Sequence, residues 1–148
     1  MKKQKNRWIM LFCICCNTFC FGGVYAWSAF SGELANYMGW DYSKVTVAYS
    51  IMLMCVALMG LVGGMLLQRF GARKLMIAAG IMWGLGWFAT GMAGSIIMLY
   101  ASFGILAGCA SGFGYNPGVV TAVSWFPDKK GFASGMAVGT CGMASLIV

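Results

Sequence analysis

The sequence predicts an all-α protein, a polytopic bundle of transmembrane helices, and three observations carry that prediction. Of the 148 residues, 61% are hydrophobic and 9% charged, with a mean hydropathy of +0.81. That balance leaves too little charge to coat a water-facing surface. The apolar residues fall into runs of about 20 or more, the length an α-helix needs to cross ~30 Å of hydrocarbon at ~1.5 Å per residue. The ten Lys and Arg behind the net charge of +7 gather in short clusters between those runs. Such clusters set topology in a membrane and do not make the continuous basic face that a nucleic acid partner would require.

The chain opens on a basic tail, residues 1–7, carrying Lys2, Lys3, Lys5 and Arg7, and enters a first span over residues 8–30. This run of roughly 23 residues exceeds the ~7–15 of a signal-peptide core, so a retained helix is expected. Asn17, Tyr25, Trp27 and Ser28 are its polar or amphipathic members, and Gly22-Gly23 removes side-chain bulk beside Tyr25. Two readings stand for Tyr25 and Trp27: the wall of a cavity, or part of the aromatic belt at the membrane surface.

Residues 31–43 read as a polar connection in which Asp41 or Ser43 caps the next helix. The second span covers residues 45–67, with Gly60 and Gly64 at the four-residue spacing that lets helices approach closely. A hairpin of three cations follows, then a third span over residues 75–93 and an uncharged turn at Gly94-Ser95. The fourth span, residues 96–126, is long for one perpendicular helix at roughly 31 residues or ~46 Å. It contains Gly112-Phe113-Gly114-Tyr115-Asn116-Pro117-Gly118, where Pro117 is expected to kink or locally unwind the helix. Irregular backbone at membrane depth lines cavities or is buried in protein. Tyr115 and Asn116 are therefore cavity candidates, the alternative being a structural helix whose Asn116 bonds a neighbouring backbone. Gly104, Gly108 and Gly112 form a packing stripe. Trp125 to Lys130 closes this span with an aromatic anchor, a proline stop and two lysines. Residues 132–148 then begin a fifth span that is incomplete at ~20 residues per crossing.

There is no histidine, and the three acids, Glu33, Asp41 and Asp128, lie outside the apolar runs. The seven cysteines lie within those runs, an odd number that does not suggest a disulfide framework. Cys13, Cys16 and Cys20 share a helical face but have no His or carboxylate beside them. They are read as small apolar helix residues, and neither a metal nor a cofactor is expected. Enzymatic chemistry is not expected either, because no nucleophile with a base and no phosphate loop is present. The three main cation clusters alternate with connections that hold only Lys44. This places the amino terminus in the cytoplasm and the spans out, in, out, in, with the fifth heading outward.

The hairpin from Gly64 to Lys74 resembles the loop between the second and third helices of the major facilitator superfamily, Gly-x-x-x-Asp-Arg-x-Gly-Arg-Arg/Lys. Gly64, Arg69, Gly71 and Arg73 fall on that pattern, followed by Lys74, while Gln68 stands at the acidic position and Ala72 at an arginine position. The stretches Gly23 to Phe30 and Trp125 to Gly135 look like the first helix and the fourth-to-fifth loop of the oxalate/formate antiporter branch, near the monocarboxylate transporters. The resemblance implies a fold of two six-helix bundles, of which this chain holds four helices and part of a fifth. It also implies a plasma-membrane protein that moves a small organic anion by alternating access.

Under that resemblance Tyr25 and Tyr115 fall at the central site. The basic residues that neutralise the anion belong to a second bundle, in this chain or another, that is absent from the sequence. The hairpin, from Gly64 through Gln68, Arg69, Gly71, Arg73 and Lys74, becomes a conformational gate, weakened where Gln68 cannot supply a charge worth up to ~1 kcal/mol at a helix amino terminus. Two other functions remain open from the sequence: a membrane scaffold or assembly subunit, and a complete small exporter. The exporter would need a carboxylate within the membrane, and none is present.

Overall fold

A computed structural model describes residues 7–147. It is helical throughout, with no strand among the described residues. The first span is built from α1 (Arg7–Phe21), a single 3₁₀ turn (Gly22–Val24) and α2 (Trp27–Met38). The helix continues past Phe30, so most of the expected polar connection is itself helical. Gly39 closes α2 in the left-handed conformation at φ 64°, its N–H donating to the Ala35 carbonyl.

Asp41 caps α3 (Tyr42–Phe70), its carboxylate accepting from the Ser43 N–H at 3.4 Å. A single residue, Gly71, joins α3 to α4 (Ala72–Gly91). Gly71 takes φ 79° and ψ 153°, a conformation open essentially to glycine alone. Ser95 then caps α5 (Ile96–Leu99), accepting from the Met98 N–H at 3.3 Å. The fourth span passes through a π-helical stretch, Tyr100–Ala107, into α6 (Gly108–Trp125), and a 3₁₀ turn at Pro127–Lys129 leads to α7 (Lys130–Ile147).

The fourth span departs from expectation in where it is irregular. α6 runs unbroken through Pro117, with no local unwinding there, and the change of winding lies earlier, at Tyr100–Ala107. The Thr121 hydroxyl donates to the Pro117 carbonyl at 2.6 Å, a local bond available to a hydroxyl one turn on.

Three stretches, Arg7–Met38, Tyr42–Phe70 and Ile96–Trp125, are long and apolar enough to cross a membrane by length and composition. α4, of 20 residues, and α7, of 18, pack alongside them. In lipid, helix association draws on close packing and interhelical hydrogen bonds, because acyl chains are as apolar as leucine. The glycines show where that closeness is used. A Cβ at Gly104, Gly108 or Gly112 would come within 2.9 Å, 2.8 Å and 2.8 Å of Ile51, Cys55 and Met59. α3 therefore lies parallel to the fourth span along this stripe. α4 runs antiparallel to it, with Gly86 on Ala107 and Met76 beside Gly118. Gly63, rather than Gly64, meets the fourth span, and the space around Gly64 is open.

α7 lies parallel to α1, from the Trp8–Phe132 ring contact at 6.3 Å to Gly22, which backs onto Cys141 and Ala144. Between these points the Thr18 and Thr140 hydroxyls are 3.0 Å apart. Among the described residues the cations other than Lys44 gather at one end of this bundle, the amino-terminal lysines Lys2, Lys3 and Lys5 lying outside the described residues. Arg7 pairs with Asp128 at 3.9 Å and sits 5.4 Å over the Phe126 ring, and the Arg69–Lys74 hairpin lies beyond the Gly63–Pro117 contact at the same end. Lys44 lies at the opposite end, where its carbonyl accepts from the Tyr100 hydroxyl at 2.9 Å.

Candidate functional site

The site begins where the first span loses α-helical winding. Gly22-Gly23 offers little side-chain restraint on the backbone, and the chain tightens into a 3₁₀ turn in which the Tyr25 N–H donates to the Gly22 carbonyl at 3.0 Å. Without a Cβ on Gly22 the backbone of α7 comes into contact at Cys141, while a Cβ on Gly23 would stand 3.6–3.8 Å from the rings of Trp87 and Trp83. Tyr25 is left half exposed between two cavities.

The first cavity, about 100 Å³, brings Tyr25 together with Tyr115, Ser111 and Cys141 over an apolar floor that includes Phe21 and Val56. Tyr115 reaches it from α6. There the missing side chain of Gly114 makes room for the Phe21 ring, drawing α6 onto the first span. The second cavity, about 340 Å³, lies toward the Lys44 end, between Tyr25, Ser28 and Ser31 of the first span and Tyr42, Thr46 and Tyr49 of α3. Both are lined by hydroxyls and apolar groups, with no charged side chain among the described residues around either. Such walls can donate hydrogen bonds to an anion's oxygens but cannot neutralise it.

Trp27 is buried within the bundle. It is 5% exposed, stacked on Phe103 with ring centroids 3.8 Å apart, and its edge reaches the second cavity. The Trp27 indole nitrogen is buried without a hydrogen-bond partner. Asn116, one residue beyond Tyr115 on α6, turns toward Gly60 of α3 and lies outside both cavity linings. The structure thus brings Tyr25, Tyr115 and the edge of Trp27 to adjoining cavities and carries Asn116 elsewhere.

Sequence reasoning missed Ser111, Tyr42, Thr46 and Tyr49. Their signal is spacing: Ser111 lies one helical turn before Tyr115, and Tyr42, Thr46 and Tyr49 follow the i, i+4, i+7 pattern of one helix face.

The hairpin residues lie apart from these two cavities, at the cationic end, where Arg73 lines the mouth of a separate groove between α1 and α4. Gln68, Arg69, Gly71, Arg73 and Lys74 are exposed, and the Arg69 guanidinium stands 5.7 Å from the centre of the Phe70 ring. Gly71 closes α3 by donating to the Leu67 carbonyl at 3.1 Å, and its own carbonyl accepts from Leu75 at 3.4 Å. The turn therefore holds the cations outward without using their side chains.

The described residues thus form a helical bundle with membrane-length apolar helices and with hydroxyl-lined cavities between its first, second and fourth spans. Residues 7–148 match the Major Facilitator Superfamily, and the chain belongs to that family. It is 36% identical over 143 residues to the uncharacterized MFS-type transporter YhjX of Escherichia coli (strain K12), a match covering 97% of this chain and 36% of that protein. It is 32% identical over 142 residues to the oxalate:formate antiporter of Oxalobacter formigenes, covering 95% of this chain and 34% of that one. Monocarboxylate transporter 3 of Mus musculus is 29% identical over 131 residues, 88% of this chain and 27% of that protein. The chain spans about a third of the length of these curated relatives. The family is one of transporters, and no catalytic family is indicated.

Proposed function

We propose that this chain is the front part of a plasma-membrane secondary transporter, its amino terminus cytoplasmic, that moves a small mono- or dicarboxylate by alternating access. The meeting of Tyr25 and Tyr115 in one cavity carries the reading. Two phenols from different spans, with Ser111 beside them, can grip carboxylate oxygens, and the oxalate:formate antiporter among the relatives supports that substrate class. The walls described supply hydrogen bonds and no positive charge. The counter-charge is therefore assigned to the remaining two thirds of the transporter, which also forms the opposite wall and rocks against this bundle. Tyr25, lying between two cavities, is placed to keep contact with the substrate while one side closes. The exposed hairpin, Gly64 to Lys74, serves in this scheme as the conformational gate at the cytoplasmic face.

The test is exchange in proteoliposomes carrying the complete transporter and loaded with oxalate or formate. A hydrogen bond to a charged group contributes ~1.5–3 kcal/mol, so Tyr25→Phe and Tyr115→Phe should each lower exchange about tenfold or more. Absence of exchange with any small carboxylate would remove the proposed substrate class. Normal exchange by both variants would remove the two tyrosines from the site.

A further inference from the structure

The two cavities that share Tyr25 differ in what their hydroxyls can still offer. In a helix, serine and threonine can donate to a carbonyl one turn back, which uses the hydroxyl hydrogen and leaves the oxygen as an acceptor. Around the larger cavity all three do so. Thr46 donates to the Tyr42 carbonyl at 3.0 Å, Ser28 to the Tyr25 carbonyl at 3.3 Å and Ser31 to the Ser28 carbonyl at 3.4 Å. The hydroxyl donors left there are the phenols of Tyr25, Tyr42 and Tyr49, none of which has a hydrogen-bond partner among the described residues.

The smaller cavity is the opposite case. Ser111 is only 4% exposed, yet its hydroxyl bonds neither its own helix nor any other described residue. It lines the cavity beside the free phenols of Tyr25 and Tyr115, so every hydroxyl there can donate.

A carboxylate oxygen only accepts. Three free donors therefore match an anion stripped of water. The larger cavity presents acceptors as well, and from those a bare carboxylate gains nothing. Water gains on both counts, because it can donate to Thr46, Ser28 or Ser31 and again to the anion. At about 340 Å³ against about 100 Å³, the larger cavity also has more space for water beside a small carboxylate.

We infer that the larger cavity is a second carboxylate-binding station, which takes the anion from the Lys44 face on Tyr42 and Tyr49 with part of its hydration shell, before Tyr25 passes it to the smaller cavity. This station rests on the proposed carboxylate transport and adds an order of events to it: capture while hydrated, then loss of water.

Exchange measured from each face, in proteoliposomes of the complete transporter inserted in one orientation, tests it. Labelled oxalate or formate is held limiting on the Lys44 face with unlabelled anion saturating on the other, and the arrangement is then reversed. The double variant Tyr42→Phe/Tyr49→Phe keeps both rings. It should lower kcat/KM from the Lys44 face about tenfold or more, the loss expected for hydrogen bonds to a charged group, and change the value from the cationic face less than about twofold. Thr46→Val removes an acceptor and should lower the Lys44-face value severalfold. Tyr115→Phe should lower both faces alike. Equal losses from both faces in the double variant, or no loss, overturn the second station and leave carboxylate transport standing. An unchanged Lys44-face value for Thr46→Val overturns capture of the hydrated anion. Failure of the unaltered transporter to exchange any small carboxylate overturns the transport reading and the station together.

Discussion

The rings of Trp27 and Phe103 lie face to face, 3.8 Å between centroids and 18° between planes, and this stack ties the first span to the π-helical stretch of the fourth. Phe103 is fully buried and touches Trp87 edge-on at 5.7 Å, so this one phenylalanine joins three spans. Trp27→Ala should cost about 3–5 kcal/mol of stability, as large aromatic truncations in a packed core do. A lowered melting temperature in detergent, appearing without substrate, would mark Trp27 as a structural residue first and a cavity wall second.

Glycines that look alike in sequence should respond in opposite ways. A side chain at Gly112 would meet Met59, Val56 and Gly60 at 2.8–3.0 Å, two of those contacts being backbone atoms that cannot turn aside. Gly112→Leu should therefore separate α3 from the fourth span at a cost of about 1–3 kcal/mol or more. Gly135, on α7, has nothing within 4 Å, and Gly135→Ala in this bundle should be neutral or slightly stabilising. Comparative thermal unfolding of the two variants checks the contrast.

The turn at the cationic end depends on a single backbone conformation. Gly71→Ala would force a side chain into φ 79°, ψ 153°, at about 1–3 kcal/mol. The expected result is a lower melting temperature with faster proteolysis between Arg69 and Lys74. An unchanged stability would show that the α3–α4 connection relaxes freely.

Gln68 is exposed at the end of α3, and the proposed function sets it against the rest of the transporter. Restoring the acid by Gln68→Asp in the complete protein should stabilise one conformation by up to ~1 kcal/mol. A ~5-fold change in the ratio of outward- to inward-open forms, read by distance measurements between spin labels, is the expected outcome.

The fold class was legible because membrane spans are written in composition and run length; among the described residues Arg7, the Arg69–Lys74 hairpin and the Asp128 loop share one end, while the N-terminal lysines lie outside the described residues. The stripe at Gly104, Gly108 and Gly112 was legible for a similar reason: four-residue spacing is a local signal with a local use. Gly64 shows the limit of that signal, since Gly60 and Gly63 are the members of α3 that face the fourth span. The rotation of a helix about its own axis is set by its neighbours, and one position separates a packed glycine from an open one. The same cause divides Tyr115 from Asn116, adjacent in sequence and turned to different surroundings. The π-helical stretch had no sequence mark comparable to Pro117. Proline signals its effect by a missing donor, whereas a wider turn is a compromise among contacts to α3 and α4 that only the assembled bundle specifies.

That wider turn gives the fourth span a place where its length can change. Bonding from i to i+5 over Tyr100–Ala107 underwinds the helix, so the stretch stores slack relative to ordinary i to i+4 winding. Losing one residue there could be absorbed by rewinding, with Gly112, Gly114 and Tyr115 kept in phase with the partners they meet. The same deletion within α6 would rotate everything beyond it by about 100° and carry Tyr115 out of its cavity. Aligned sequences of this span should therefore open single-residue gaps near Phe103 and stay ungapped from Gly108 to Trp125.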